Sequence, residues 1–450
     1  NTLVLVNGQR LSENEGIAAR LSSIPLNSIE RIEIMRGSGS VLYGSGASSG
    51  TINIITRTAI ENDLAGTASV MTGSHNLQDS RASIQSQKDQ LGISLSGQKY
   101  KTDNYRYGNR ADLETMSGEL RYGDKKEFIA LNFGADNQKS QLPGVRKVNL
   151  VTGVNQFLND PRGITTPNDY LDSKTNFVSI AGEKKQGDLT LALDLGKRNK
   201  TRRSFGSYED NSGTSLADTR TGVVTVSPRL LWSTHLSQLK NLLTVGADWS
   251  DWSFDNSTVG TGSQDTLIEK GTQNNQAMYF RDEIIYADKT RLSLGARSER
   301  VKQDNRYVGH DGWGNPEVNE TRTFERRLSS HEIALQHSLD AGYSLYGRAG
   351  RSFRIANIDE IRCSTYSGCG LFLKPQTSDN REIGLQWRGN RSNLRVSLFD
   401  MNVNNEIHYN PYTYSNVNLS PTKHRGLELD GKYLLGKTLE LGARYEIGRA

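Results

Sequence analysis

Nowhere in its 450 residues does this chain hold the ~18 uninterrupted apolar residues that a membrane-crossing helix requires. Hydrophobic residues make up 34% of it and the mean hydropathy is −0.62, so a helical membrane protein is excluded. A β-barrel is not, because its strands show lipid only every second side chain and read as polar on average. Proline is scarce, at 9. Neither sign of charge dominates: 55 Lys and Arg against 50 Asp and Glu leave a net +5. Those charges are scattered without a basic block, which argues against a nucleic-acid partner. Cysteine is nearly absent. Cys363 and Cys369, the only two, lie close together in a turn-rich segment. They can close a small loop disulfide in an oxidising compartment or stand as two free thiols. No His or carboxylate lies between them to make a metal site.

What is present is glycine, at 44, and more tyrosine than phenylalanine, 18 against 11. That mix suits turns and strand ends better than packed helices. The length allows two or three ordinary domains or one large β structure. Residues 1–58 differ from the rest. Leu3-Val4-Leu5-Val6 runs into the tight-turn signal Asn7-Gly8. Ile29-Glu30-Arg31-Ile32-Glu33-Ile34 alternates as a half-exposed strand does, and Thr51 to Thr56 forms another strand beyond a Gly/Ser-rich stretch. These features describe a small α/β or mostly β module. No signal peptide precedes it, and the opening in mid-strand leads us to expect that a preceding segment is missing.

From Leu64 onward one pattern repeats. Leu189, Leu191, Leu193 and Leu195 alternate with Thr190, Ala192, Asp194 and Gly196, and Leu439-Leu441-Ala443-Tyr445 does the same with Glu440-Gly442-Arg444. Period two predicts strands but does not separate a barrel from a sandwich. The turns do. Short connections fall near Asp89, Gly123-Asp124, Gly187-Asp188, His235–Lys240, Asp288, Asp340–Gly342, Gly389-Asn390 and Gly436. Between them lie connections at 73–76, 103–112, 138–173, 206–221, 255–272, 305–325, 354–376 and 405–421, all long except the first. Alternating short and long connections predict a hairpin meander of about 17 strands with loop length sorted by end, as outer-membrane barrels have it. Tyr122, Phe128, Trp232, Tyr286, Tyr343, Trp387 and Tyr433 sit beside the short turns, where an interfacial girdle belongs.

At this point a resemblance enters. Leu5-Val6-Asn7-Gly8, Ile24-Pro25-Leu26, Ile29 to Gly37, Ser40-Val41-Leu42-Tyr43-Gly44, Gly46-Ala47 and Gly50 to Thr56 resemble, in order and spacing, the plug of TonB-dependent receptors. Ser352 to Glu360 and Pro421 to Leu429 resemble barrel strands of that family. The resemblance implies an antiparallel transmembrane barrel of about 22 strands, about 17 of them here, with the small α/β plug in its lumen. It divides the chain into a C-terminal plug part, 1–58, and a barrel, 59–450. Family members begin with a TonB-contacting segment and the first plug half and end in a strand with a terminal aromatic. We therefore expect a fragment lacking both, whose parent sits in the bacterial outer membrane and works through the TonB system.

The implied activity is active uptake of a scarce large solute, with a ferric siderophore foremost; cobalamin, haem or another cofactor, or a passive channel, are the alternatives. A passive channel would have no globular segment ahead of its first strand. The segment Phe353 to Pro375 resembles the frame in which haem receptors place a His but contains none, and Ala356 replaces its Pro. His310 and His408 lie in other long loops. An anionic iron complex would meet rigid aromatics and guanidiniums. The candidates are Arg162, Tyr170, His310, Trp313, Tyr366, Phe372, Tyr409 and Tyr412. The resemblance also assigns Glu30, Arg31, Glu33 and Arg36 to contacts between plug and wall. Asp160, Asp169 and Asp172 are oxygen donors of the kind Ca²⁺ takes, but lack a regular ligand spacing, and turn formation is their default role. The glycines of 37–50 lack the Gly-Lys-Ser/Thr ending of a phosphate loop. No nucleophile elbow or metal-ligand cluster stands out, so no enzyme is expected.

Overall fold

The computed structural model describes residues 2–11, 21–37, 39–58, 64–124, 126–208, 212–262, 265–310, 317–361, 373–412 and 415–449. The N-terminal module is a mixed sheet of β1 (Thr2–Val6), β2 (Gln9–Arg10), β3 (Ile29–Arg36) and β4 (Gly50–Thr56), in the order β2-β1-β4-β3. Strands β1 and β4 run parallel, and the other pairs run antiparallel. A four-residue helix, α1 (Ser40–Tyr43), precedes β4, and Leu3, Leu5 and Ala47 form the core against Tyr43. Alternation led us to expect β3 to be half-exposed. It is open on both faces, with Ile32 54% and Ile34 68% accessible. Its side chains still alternate between the two faces, but neither face is covered along most of this edge strand.

The remainder is one antiparallel meander. Its first strands are β5 (Ala65–Gly73), β6 (Leu77–Lys88), β7 (Leu91–Thr102), β8 (Ala111–Gly123) and β9 (Phe128–Gln141). After a rim loop that carries β10 (Val148–Asn149), β11 (Val154–Asn155) and α2 (Gln156–Asn159) come β12 (Tyr170–Gln186) and β13 (Leu189–Ser207). Then follow β14 (Gly213–Leu236), β15 (Leu239–Gly262), β16 (Thr266–Tyr286), β17 (Thr290–His310) and β18 (Val318–Ser338). The last group is β19 (Tyr343–Arg354), β20 (Gln376–Arg388), β21 (Ser392–Asn404), β24 (Thr422–Leu435) and β25 (Leu439–Arg449). A small hairpin, β22 (Ile407–Asn410) with β23 (Ser415–Asn418), stands on the rim.

The seventeen long strands form one closed ring. Sixteen of its junctions carry antiparallel ladders. The junction of β5 with β25 carries none among the described residues. An odd meander forces this, because its first and last strands point the same way and cannot continue an antiparallel pattern.

All eight short turns fall where the sequence placed them. The long connections do not all do so. Strands run through most of 206–221, 255–272 and 305–325, so that β14 and β15 are 24 residues long and β16, β17 and β18 are 21. Polar residues such as Asp255, Asn256, Asp304 and Asn305 read as loop, yet here they stand in ladders above the apolar zone, where both faces of a strand can be polar.

Strand β17 shows how the barrel sorts its side chains. Ser293, Arg297, Glu299, Val301, Gln303, Asn305 and Tyr307 are buried toward the lumen, while Leu292 and Leu294 lie on the opposite face. Tyr122, Trp232, Tyr286, Tyr343 and Tyr433 are exposed beside the short turns, and Trp387 packs on Tyr343 with ring centroids 6.2 Å apart. Phe128 does not join them. It shares the face of Ala130 and lies under the Arg121 guanidinium, 3.8 Å from ring centroid to Cζ, so it points into the lumen.

Candidate functional site

The lumen is the site, and two clusters of polar contacts, besides the packing of Leu26–Ser28 against β6 and β7, hold the N-terminal sheet in it. The first centres on α1, which packs against β16, β17, β18 and β19. Gly44 follows α1 with φ +69°, and a Cβ there would lie 2.6 Å from Glu299 Oε2, so only glycine lets the backbone approach this wall. Glu299 accepts from Arg297 Nε at 2.8 Å, and Arg297 donates its second bond to Asp248 at 2.6 Å. Arg10, at the end of β2, donates to the carbonyls of Tyr43 and Ser45. Burial lowers the pKa of Arg10 from the usual arginine range, an effect that the field of Glu299 opposes. Burial likewise raises that of Tyr43. From β13, Arg198 donates to the carbonyls of Arg10 and Leu11 at 2.7 and 2.9 Å. The backbone N–H of Ile355, beyond β19, donates to Ser45 Oγ at 3.1 Å.

The second contact lies at the end of β3. Arg36 donates to Asp430 at 2.8 Å and has Glu428 at 3.9 Å, both on β24. The Arg36 carbonyl accepts from Arg348 of β19. Arg348 and Arg395 share Glu382, and Tyr346 donates to the same carboxylate at 2.7 Å. Of the four charges assigned to the wall, only Arg36 reaches it in a hydrogen bond among the described residues. Glu30, Arg31 and Glu33 pair with one another on the exposed strand, at 2.8 and 2.9 Å.

The rim residues are spread around the mouth. Arg162 lies 4.4 Å over the Tyr107 ring and 5.7 Å from that of Tyr105, and donates to the Tyr105 carbonyl at 2.9 Å. Arg106 donates to the carbonyls of Pro143, Gly144 and Gly163, so loops 103–110 and 142–169 are fastened together. Tyr170 stacks on Phe205. His310 ends β17 opposite Thr266. Tyr409, on β22, and Tyr412 are exposed. Among the described residues, no contact brings these side chains together. Trp313, Tyr366, Phe372, Cys363 and Cys369 lie outside the described residues. Asp160 pairs with Arg146 at 2.9 Å and Asp169 accepts from Ser207, so these carboxylates already have partners within the chain.

Sequence reasoning missed Arg10, Asp248, Arg297, Glu299, Arg348, Glu382 and Arg395. One signal was available: within an alternating strand, Arg297 and Glu299 occupy the face opposite Leu292 and Leu294.

The sequence profile described as "TonB dependent receptor-like, beta-barrel" matches residues 74–447, and that described as "TonB-dependent Receptor Plug Domain" matches residues 1–51. The chain belongs to the TonB-dependent receptor family. It is a bacterial outer-membrane protein, and the N-terminal sheet is plug. The receptor is 24% identical to a probable TonB-dependent siderophore receptor, PirA, of Acinetobacter baumannii, over 94% of this chain and 61% of that protein. It is 25% identical to the vitamin B12 transporter BtuB of Vibrio vulnificus, over 96% of this chain and 64% of that one. The chain thus spans a little over 60% of the length of these two relatives. Among solved structures, the ferric yersiniabactin uptake receptor FyuA of Yersinia pestis shares the fold, with a TM-score of 0.80, 15% identity, and coverage of 100% of this chain and 70% of that one. Members of the family are receptors and transporters.

Proposed function

We propose that this chain is the plug-and-barrel body of an active importer that captures a ferric siderophore outside the cell. The observation that carries the reading is the filled lumen. A mixed sheet sits inside the barrel and is held by charged contacts to strands on several sides. A passive pore has no use for such an obstruction. An obstruction that must yield during passage needs outside work, and coupling to TonB through a segment of the parent receptor would supply it. The solute rests on the siderophore-receptor relatives and on the aromatic and guanidinium groups of the rim, among which Arg162, Tyr170, His310, Trp313, Tyr366, Phe372, Tyr409 and Tyr412 are the proposed contacts.

The test is ligand-dependent protection of the full-length receptor from thermal unfolding, with ferric catecholates, ferric carboxylates, cobalamin and haem in parallel. A binder at 100 times its Kd adds about 2.7 kcal/mol. A rise in Tm with one ferric siderophore class is the expected result, and no shift with any iron complex overturns it. A shift with cobalamin alone would favour the second reading, which the likeness to the vitamin B12 transporter motivates. Deleting the plug from the full-length receptor should raise its conductance in planar bilayers, and unchanged conductance would defeat the plugged-importer reading.

A further inference from the structure

Beyond β19 the chain turns inward and runs across the lumenal face of the wall, and buried side chains mark the strands it passes. Phe353 and Ile355 pack on Val301 of β17 and Leu328 of β18. Gln303 of β17 donates to the Ala356 carbonyl at 3.2 Å. Ile358 packs on Trp252 and Phe254 of β15, with Val223 of β14 beside them. Between these strands Gly271 of β16 leaves a notch, because a Cβ there would lie 2.2 Å from Ile358 Cδ1. Glycine weakens a strand interior unless something approaches closely, and Gly271 stands inside the ladders on both sides of β16. What approaches is Ile358.

This segment has little slack. From 353 to 358, at no more than ~3.6 Å per residue, it reaches ~18 Å, while the strand spacings from β19 to β16 already take ~14 Å. Its far end is stiffened. Ile358–Glu360 form a 3₁₀ turn capped by Asn357, whose N–H donates to Glu360 Oε2 at 2.8 Å, and Arg354 pairs with the same carboxylate. Two other parts of the molecule hang on it. On the plug side, the Gly46 N–H donates to the Phe353 carbonyl at 3.4 Å, and Ser45 Oγ accepts from the Ile355 N–H at 3.1 Å. On the rim side, Asn416 of β23 donates to the Glu360 carbonyl at 3.3 Å. Asn418 of the same strand accepts from the Lys374 N–H at 2.8 Å and donates to its carbonyl at 3.0 Å. The β22–β23 hairpin thus clasps both feet of the connection 361–373.

We propose that residues 353–361 are a retaining strap, seated by Ile358 in the Gly271 notch, which makes release of the plug's α1 corner and loosening of the β22–β23 hairpin one event. The inference rests on the plugged-lumen reading. Ordinary wall packing would leave the plug corner and the hairpin independent, since distant groups without shared partners respond separately. A taut strap with a single seat joins them. With Ile358 out of the notch, the Ile355 N–H moves away from Ser45 and the Glu360 carbonyl moves away from Asn416.

The experiment is amide hydrogen exchange, read by mass spectrometry, on the detergent-solubilised full-length receptor without solute. Gly271→Val fills the notch, where the nearest atoms to a new Cβ are those of Ile358 and Asn305. Exchange is expected to quicken by ~10-fold or more at 353–361, at 44–47 of the plug and at 407–418 of the hairpin. Gly206→Val on β13, where a Cβ would meet Ser215 Oγ at 3.7 Å, should change none of the three. Ser45→Ala added to Gly271→Val should quicken 44–47 no further. Should Gly271→Val fail to fold, Ile358→Ala empties the seat from the strap side, and the same pattern is expected. Quickening confined to 353–361, no change there in a folded variant, or an additive effect of Ser45→Ala overturns the proposal. These outcomes are distinct from failure of the plug reading, which unchanged conductance on plug deletion would show.

Discussion

The plug meets β17 beside charges that water scarcely reaches and meets β24 through charges that it does. The Arg297 and Glu299 side chains are 4% and 3% exposed, against 34% and 29% for Arg36 and Asp430. Ion-pair geometry is similar in both places, with bonds near 2.8 Å, so distance does not distinguish them. Surroundings do. An exposed pair contributes about 0–1 kcal/mol, whereas removing one partner of a buried pair costs about 3–5 kcal/mol, because the other is left as an uncompensated charge. The lesson is that the plug is anchored where α1 packs on a wall braced by the barrel's own buried ion pairs and is only latched where its own Arg36 reaches β24, so it should yield first along β3 and β24.

The largest test of this contrast is Glu299→Ala, which leaves Arg297 and Arg10 facing Asp248 alone. We expect a loss of about 3–5 kcal/mol, read in the full-length receptor as a lower urea concentration at which the lumen starts to conduct in planar bilayers. A loss no greater than that from Arg36→Ala would break the comparison. Gly44→Ala comes next. It forces a side chain into a φ of +69° and against Glu299, for about 1–3 kcal/mol, with the same readout. Arg36→Ala should then cost about 0–1 kcal/mol at low salt, and the difference from wild type should vanish near 1 M salt, where charges are screened beyond ~3 Å. A persistent difference would mean that the β24 contact is an anchor too.

The smallest effect supplies a baseline from outside the lumen. In the turn between β8 and β9, the Asp124 carboxylate accepts from the N–H groups of Glu127 and Lys126 at 2.8 and 2.7 Å, and these bonds hold its pKa below the usual carboxylate value. A depressed folded-state pKa means that the contribution is present above the unfolded value, ~3.9, and fades as pH falls through the folded one. Amide exchange at Lys126 and Glu127 should therefore quicken, relative to an Asp124→Asn control, only below about pH 4. Equal pH response in the two proteins would show that the turn owes nothing to the carboxylate.

Much of the barrel was legible because its constraints are local. Gly187-Asp188 and Asp288 mark turns by their own chemistry, and Leu189 to Leu195 marks a strand by its own period. The plug blocks were legible for the same reason, since each is a short contiguous pattern. Phe128 misled us because an aromatic beside a turn reads alike on either face, and only its contact with the Arg121 guanidinium assigns it. The tall strands misled us because polarity on both faces is what a loop and a strand above the lipid have in common. The lumenal contacts were illegible for a different reason: Arg36 and Asp430 are separated by 394 positions. Nothing local about an arginine names a partner that far away. The rim residues, finally, each satisfy a generic preference, and the fold scatters them around the mouth.

The tall side of the rim has a thermodynamic consequence. On the outer side, the β13–β14, β15–β16 and β17–β18 pairs keep their backbone ladders as far as Ser207–Thr214, Thr258–Leu267 and Gly309–Val318, whereas the β9–β12 side and the side beyond β19 carry the long connections 142–169 and 355–375. Groups on the laddered hairpins were ordered when the protein folded. A solute touching them loses its own freedom but removes little from the protein, where ordering a chain segment takes about 1–2 kcal/mol per residue. Recognition on that wall should show a small entropic penalty and a fast on-rate. The tall strands make their part of the mouth a preorganised surface.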